Sequence, residues 1–143
     1  MEHITWLTQD AYDRLKAELD DRSGPMRAEI VKRIELARQE GDLSENAGYH
    51  AARDAQGMSE ARIRQLTQLL EHVQVGSPEL AAGVIGYHKV VTVDFGGGDT
   101  EEYFIGHVAE KEVTTQEVLT IRALRHRHHR RRQVVASRQR LAP

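Results

Sequence analysis

The 143-residue chain contains no cysteine. That excludes a disulfide framework and any thiolate metal site, and it fits a reducing, intracellular setting. No apolar run approaches the roughly 20 residues needed to span a bilayer. The start, Met-Glu-His-Ile-Thr-Trp-Leu-Thr, lacks the charged-then-apolar pattern of a signal peptide. A soluble, cytoplasmic protein without a membrane partner is expected. Acid is missing from one end only. All 22 Asp and Glu lie in residues 1–121 with 12 Lys and Arg, a balance of −10, whereas residues 122–143 carry eight Arg and no acid. A split this sharp marks a segment of different origin or purpose.

What is present falls into two periodicities. Thr8 can cap a helix, and Asp10 favours its first turn. Leu15 and Leu19 then share a face, with Ala11 and Tyr12 beside it. Ser23-Gly24-Pro25 interrupts the pattern, and Pro25 kinks the helix or starts a second one. The stripe resumes through Ile30, Val31, Ile34 and Ala37 to about Glu40, and Gly41 suits its end. A return helix, capped by Asn46 or Ser44, carries Tyr49, Ala52, Ala55 or Gln56, Ser59, Ile63, Leu66, Leu69 or Leu70, and Val73 at three- and four-residue spacing. That is a coiled-coil-like seam. Ala51, Ala52 and Ala55 allow two backbones to approach closely. An arm of about 30 residues reaches roughly 45 Å.

Gly76-Ser77-Pro78 ends the helical region, and beyond Gly83 the period changes to two. Val91, Val93 and Phe95 alternate with Thr92 and Asp94; Gly96-Gly97-Gly98-Asp99 is a turn; Tyr103, Ile105 and His107 follow, then a short strand at Val118–Ile121. The triple glycine lacks the Lys-Ser/Thr of a phosphate loop and no helix follows it, so it is read as a turn. The fold class is therefore α+β: a long N-terminal antiparallel helical hairpin (1–76, tip at 41–48), a linker (77–82), a small antiparallel β domain (83–121), and a basic Arg/His-rich tail (122–143) expected to be disordered.

The tip holds two carboxylates, Asp42 and Glu45, three residues apart. On a polar turn such acids are usually solvated. The chemical alternative is a hard cation such as Mg²⁺, for which two carboxylates form an incomplete site that a partner would have to complete. Ser44 and Asn46 shape the turn by bonding local backbone, and Tyr49 packs beneath it. His126, His128 and His129 sit among arginines, which repel cations, so a metal cluster there is disfavoured.

The segment Glu40-Gly-Asp-Leu-Ser-Glu-Asn-Ala-Gly-Tyr-His-Ala-Ala-Arg53 resembles the tip signature of the bacterial Gre transcript-cleavage factors, the GreA type in particular. The resemblance begins near Leu7 and runs through Pro25-x-x-x-x-Ile30, Ala37-Arg38, Gln56-Gly57 and Glu60-x-Arg62-Ile63. Residues 83–121 match the family's FKBP-like C-terminal domain more loosely. The resemblance implies an elongation factor that binds bacterial RNA polymerase, inserts its coiled coil into the secondary channel, and stimulates cleavage of backtracked RNA by the polymerase. It would have no cofactor and no enzymatic activity of its own. By position, Asp42 and Glu45 would help hold a Mg²⁺ shared with the polymerase active site, and metal would be bound only in that complex. Arg38 and Arg53 stand where the family carries basic residues. They would contact the polymerase or the nascent RNA 3′ end, or simply line a solvated face. Gly48 replaces a common Glu. A non-cleaving regulator that occupies the same channel is the alternative. A stand-alone nucleic-acid binder driven by the tail is a third reading, opposed by the acidic body.

After Ile121 the chain departs from the family, which continues with a Ser-Pro segment and a Gly-x-Ala-Leu/Ile-Ile/Leu-Gly turn. Codons compatible with Arg125 to Arg131 encode Gly-Thr-Ala-Ile-Ile-Gly when read one nucleotide over. The tail is therefore read as a frame-shifted end, against a basic tail that binds phosphates. The sheet is expected to stop near Ile121.

Overall fold

A computed structural model describes residues 4–81, 83–112, 114, 116–120, 123 and 133–139, with 112 and 133–139 described by backbone alone. The chain divides into two compact units. One runs from Asp13 to His72; the other combines the described residues up to Tyr12 with those from Val73 onward.

The helical unit takes in most of α1 (Gln9–Ser23), all of α2 (Pro25–Gln39) and α3 (Ala47–Glu71). Pro25 occupies the first turn of α2, where its missing N–H costs nothing. Hydrogen bonding still crosses the junction, from Gly24 N to the Asp20 carbonyl and from Ala28 N to the Gly24 carbonyl, at 3.1 Å each. The proline thus starts a second helix while backbone hydrogen bonding continues across a non-helical Gly24. The seam of the hairpin is thin. Ile30, Ile34 and Ala52 form its apolar cluster, with Met26 and Tyr49 against it. Leu15, Ala37, Ser59 and Leu66 are also buried. Two forked ion pairs cross to α3. Arg62 Nε and Nη2 donate to both Glu18 oxygens at 2.9 Å, and Arg27 grips Glu60 at 2.7 and 2.9 Å. Such bidentate pairs fix register as well as adding energy. With a second donor in Arg22 Nε at 2.8 Å, Glu18 is held down to about 2, chiefly by the Arg62 hydrogen bonds.

The second unit starts earlier and ends later than the sequence reading. β1 (Thr5–Leu7) and β2 (Val73–Val75) form a parallel two-stranded sheet, so both ends of the expected 1–76 arm belong here. Burial explains the difference: Leu7 is fully enclosed, and its carbonyl accepts from Gly76 N at 2.9 Å. Within the expected linker 77–82, Ser77 and Ala81 are likewise fastened. Ser77 Oγ lies 3.0 Å from His88 Nδ1, and buried Lys89 donates its Nζ to the Ala81 carbonyl at 3.1 Å.

The main sheet has the order β5-β4-β3-β6. β3 (Lys89–Gly96) and β4 (Asp99–Ile105) form a hairpin whose register pairs Gly96 with Asp99. Gly97 and Gly98, at φ 69° and 86°, occupy its two central positions. Both must be left-handed in the turn that matches strand twist, which accounts for the glycine run. β5 (Glu117–Leu119) pairs parallel with β4, not antiparallel as expected. The connection from Gly106 to Gln116, which contains a 3-10 turn at Val108–Glu112, is long enough to carry the chain back along the sheet. Apolar side chains pack on both faces: Val91, Val93, Tyr103, Ile105 and Leu119 on one, Val90, Phe104 and Val118 on the other.

β6 (Gln133–Gln139) pairs antiparallel with β3 along its other edge. The sheet therefore does not stop at Ile121, and the tail is not uniformly irregular. Val134-Val135-Ala136 has the β-branched character that suits a strand, and pairing there covers a backbone edge otherwise left open. His126, His128, His129 and the arginines from Arg122 to Arg132 lie outside the described residues.

Beneath the start of α1, Glu110 is fully buried. Its two oxygens accept from Thr8 N at 2.8 Å and Thr8 Oγ1 at 2.7 Å. His88, also buried and at φ 62°, stacks on Phe104 with ring centroids 5.8 Å apart. Its Nε2 stands 3.6 Å from Glu110, too long for a hydrogen bond. Burial lowers the affinity of His88 for its proton, opposed by the Glu110 charge and by the backbone at Trp6 and Gly76.

Candidate functional site

The tip is built from the way α2 stops and α3 starts. At the end of α2 the backbone tightens: Glu40 N bonds to the Ala37 carbonyl and Gly41 N to the Arg38 carbonyl, both at 3.3 Å. Gly41 takes φ 93°, the left-handed conformation that closes a helix and that glycine adopts without strain. α3 begins at Asn46, whose Oδ1 accepts from Tyr49 N at 3.0 Å. That satisfies one of the donors every helix leaves open at its start. The same side chain donates Nδ2 to the Ala37 carbonyl at 2.8 Å. One residue therefore caps α3 and ties it to the end of α2. Of the two caps left open by the sequence, Asn46 is the one used.

Ser44 has a different task. Its N and Oγ both donate to Asp42 Oδ1, at 3.2 and 2.7 Å. This is an Asx-type turn, in which a carboxylate takes the place of a backbone carbonyl. Both bonds fall on Oδ1, and among the described residues no hydrogen bond to Oδ2 is made. Asp42 and Glu45 are both exposed, as is Leu43 between them at the apex. Tyr49 packs on the Ile30–Ile34–Ala52 cluster, as a residue beneath the tip should. Gly48 opens the first turn of α3. A Cβ there would come within 3.3 Å of Asn46 Oδ1, so the glycine leaves room for the cap.

Arg38 and Arg53 are exposed on the two helices that flank the tip, and Arg53 Nη1 donates to Gln56 at 2.8 Å. The sequence reading missed His50. Its Nε2 lies 3.3 Å from the Ser44 carbonyl, and its ring meets that of Tyr49 edge-on at 5.7 Å. A histidine four residues after a helix cap, able to reach back over the turn, was the available signal.

Chemically the tip offers two accessible carboxylates, one of them oriented through a single oxygen. A hard divalent cation takes six or more oxygens, so this pair could supply only part of a coordination shell. Among the described residues no group of three or more His, Asp or Glu is placed to hold a metal. No described helix is long and apolar enough to cross a membrane.

In comparison with known proteins, residues 5–75 match the family model described as "Transcription elongation factor, N-terminal". The transcription elongation factor GreA of Streptomyces avermitilis is 49% identical over 119 residues, spanning 83% of this chain and 72% of that protein. GreA of Streptomyces coelicolor is 48% identical over the same shares. Among solved structures, the GreA factor homolog 1 (Gfh1) of Thermus thermophilus aligns with 82% of this chain and 77% of its own at 24% identity and a TM-score of 0.47.

Proposed function

The chain belongs to the Gre family of transcription elongation factors, and on that premise we propose that it binds bacterial RNA polymerase in the cytoplasm and stimulates cleavage of backtracked transcripts. The hairpin enters the secondary channel and delivers Asp42 and Glu45 to the active site. There the two carboxylates would help to hold a Mg²⁺ bound mainly by the polymerase. Such a cation would supply charge stabilisation and an activated water, the usual contribution of a second metal in in-line phosphoryl displacement. The chain's own residues do the positioning. Asp42 is held through Oδ1 and presents Oδ2, while Asn46 locks the turn to both helices. Arg38 and Arg53 contact the polymerase or the phosphates at the displaced RNA 3′ end. The protein performs no chemistry alone and holds no cofactor of its own.

The observation that supports this reading is the exposure of both acids in the turn between α2 and α3, where Ser44 already holds Asp42 through two hydrogen bonds. The test is RNA cleavage by a stalled, backtracked polymerase with the native protein and with Asp42→Asn. Cleavage should rise with the native chain and fall back with the variant. Equal cleavage with and without the native chain would reject the proposal.

A further inference from the structure

The carbonyl that His50 reaches belongs to a particular peptide. It joins Ser44, which holds Asp42, to Glu45. A carbonyl oxygen can only accept, so the imidazole must donate from Nε2 across the 3.3 Å gap. One bond thus restrains rotation of the peptide that separates the two acids. The ring itself is anchored from two directions. Its backbone N donates to the Asn46 carbonyl at 3.2 Å in the first turn of α3, and its edge meets the Tyr49 ring, which is seated on the arm's apolar cluster. The chain of contacts runs from the packed helices through Tyr49 and His50 to Ser44, and from Ser44 forward to Glu45 and back to Asp42.

We propose that His50 is a positioning residue of the tip, which sets the spacing of the Asp42 and Glu45 carboxylates for a shared divalent cation by holding the Ser44–Glu45 peptide plane. The proposal rests on the metal-completing reading above. Without the bond, the turn retains the Asp42–Ser44 link and the Asn46 cap, but Glu45 can swing relative to Asp42. Two carboxylates that must close on one cation then lose pre-organisation, and the loss appears in the cation concentration needed rather than in docking. Outer-shell partners of metal ligands commonly account for ten- to a hundredfold in metal affinity. A partner at one remove, on an exposed turn, belongs at about the lower end of that range.

The geometry supplies its own control. The Nε2 of glutamine lies as many bonds from Cβ as the Nε2 of histidine and can donate to the same carbonyl, whereas leucine fills similar space with no donor. His50→Gln and His50→Leu are compared with the native full-length chain in two measurements. The first is amide hydrogen exchange at Ser44 and Glu45 in the free protein. The second is a Mg²⁺ titration of stimulated RNA cleavage, each protein saturating on the same backtracked complex. His50→Leu should speed exchange at these two amides and raise the Mg²⁺ needed for half-maximal cleavage about tenfold, with protein binding unchanged. His50→Gln should recover most of both. Native-like exchange and an unshifted Mg²⁺ curve in His50→Leu would overturn the proposal. So would equal impairment of the two variants, because that would mean shape rather than hydrogen bonding. If the native chain stimulates no cleavage at any Mg²⁺ concentration, the functional reading fails, whereas exchange at Ser44 and Glu45 still decides whether His50 locks the turn.

Discussion

Two carboxylate sites in this chain are organised in opposite ways. Glu110 is sealed, with both oxygens spent on Thr8, where they fasten the start of α1. Asp42 is exposed, with one oxygen bonded to Ser44 and the other taking no hydrogen bond among the described residues, close to an exposed Glu45. A buried charge with satisfied partners is costly to disturb, whereas an exposed one contributes little to stability. The difference separates an acid that the fold needs from acids that the fold merely displays.

Substitution should make that contrast measurable. Glu110→Ala removes two hydrogen bonds to a buried carboxylate and strands the Thr8 N–H. It should cost about 3 kcal/mol in denaturant unfolding of the second unit. Asp42→Ala should stay within about 0.5 kcal/mol. Equal losses would erase the distinction between the two acids.

Glycines give a smaller and oppositely signed pair. Gly57 lies inside α3 with open space where a Cβ would go, so Gly57→Ala should stabilise the helical unit by about 1 kcal/mol. Gly97 sits at φ 69° in the hairpin turn, and Gly97→Ala should destabilise the second unit by about 1 kcal/mol. Thermal unfolding of both variants checks the signs.

Acid should separate the units as well. Burial lowers the proton affinity of His88 and His107 relative to the ordinary value of 6.5. As pH falls below 6.5 the unfolded chain therefore takes up protons first. The contribution of His88 and His107 to the stability of the second unit is fully present above that pH and is lost progressively as pH falls below it. Glu18, held to about 2 against an ordinary 4.5, contributes to the helical unit fully above pH 4.5, and that contribution is lost as pH falls through about 2. Hydrogen exchange across pH 7 to 3 should show the sheet amides yielding before those of the α2–α3 hairpin. The reverse order would contradict this assignment.

Much of the arm was legible because it is written in local chemistry. The 3.6 period of Ile30, Ile34 and Ala37, the break at Gly24-Pro25 and the Gly41 stop each act within a few residues. The acids at the tip were visible for the same reason. The sheet was less so. Alternation at Val91 and Val93 showed one face, but Phe104 is buried on the other, and an apolar run such as Tyr103-Phe104-Ile105 signals burial on both. β1 with β2, and β3 with β6, pair segments far apart in sequence, which no local pattern announces. The bond from His50 to Ser44 was hidden because it depends on how the turn folds back, not on spacing alone.

If the tip displays its acids for use by another molecule, binding and cleavage should separate. The most direct measurement takes the Asp42→Asn/Glu45→Gln double variant and the native chain to one backtracked bacterial RNA polymerase complex, recording binding and RNA cleavage on the same samples. Similar binding curves are expected, with stimulated cleavage reduced at least about tenfold in the variant. Cleavage equal to that of the native chain at matched occupancy would contradict that use of the acids.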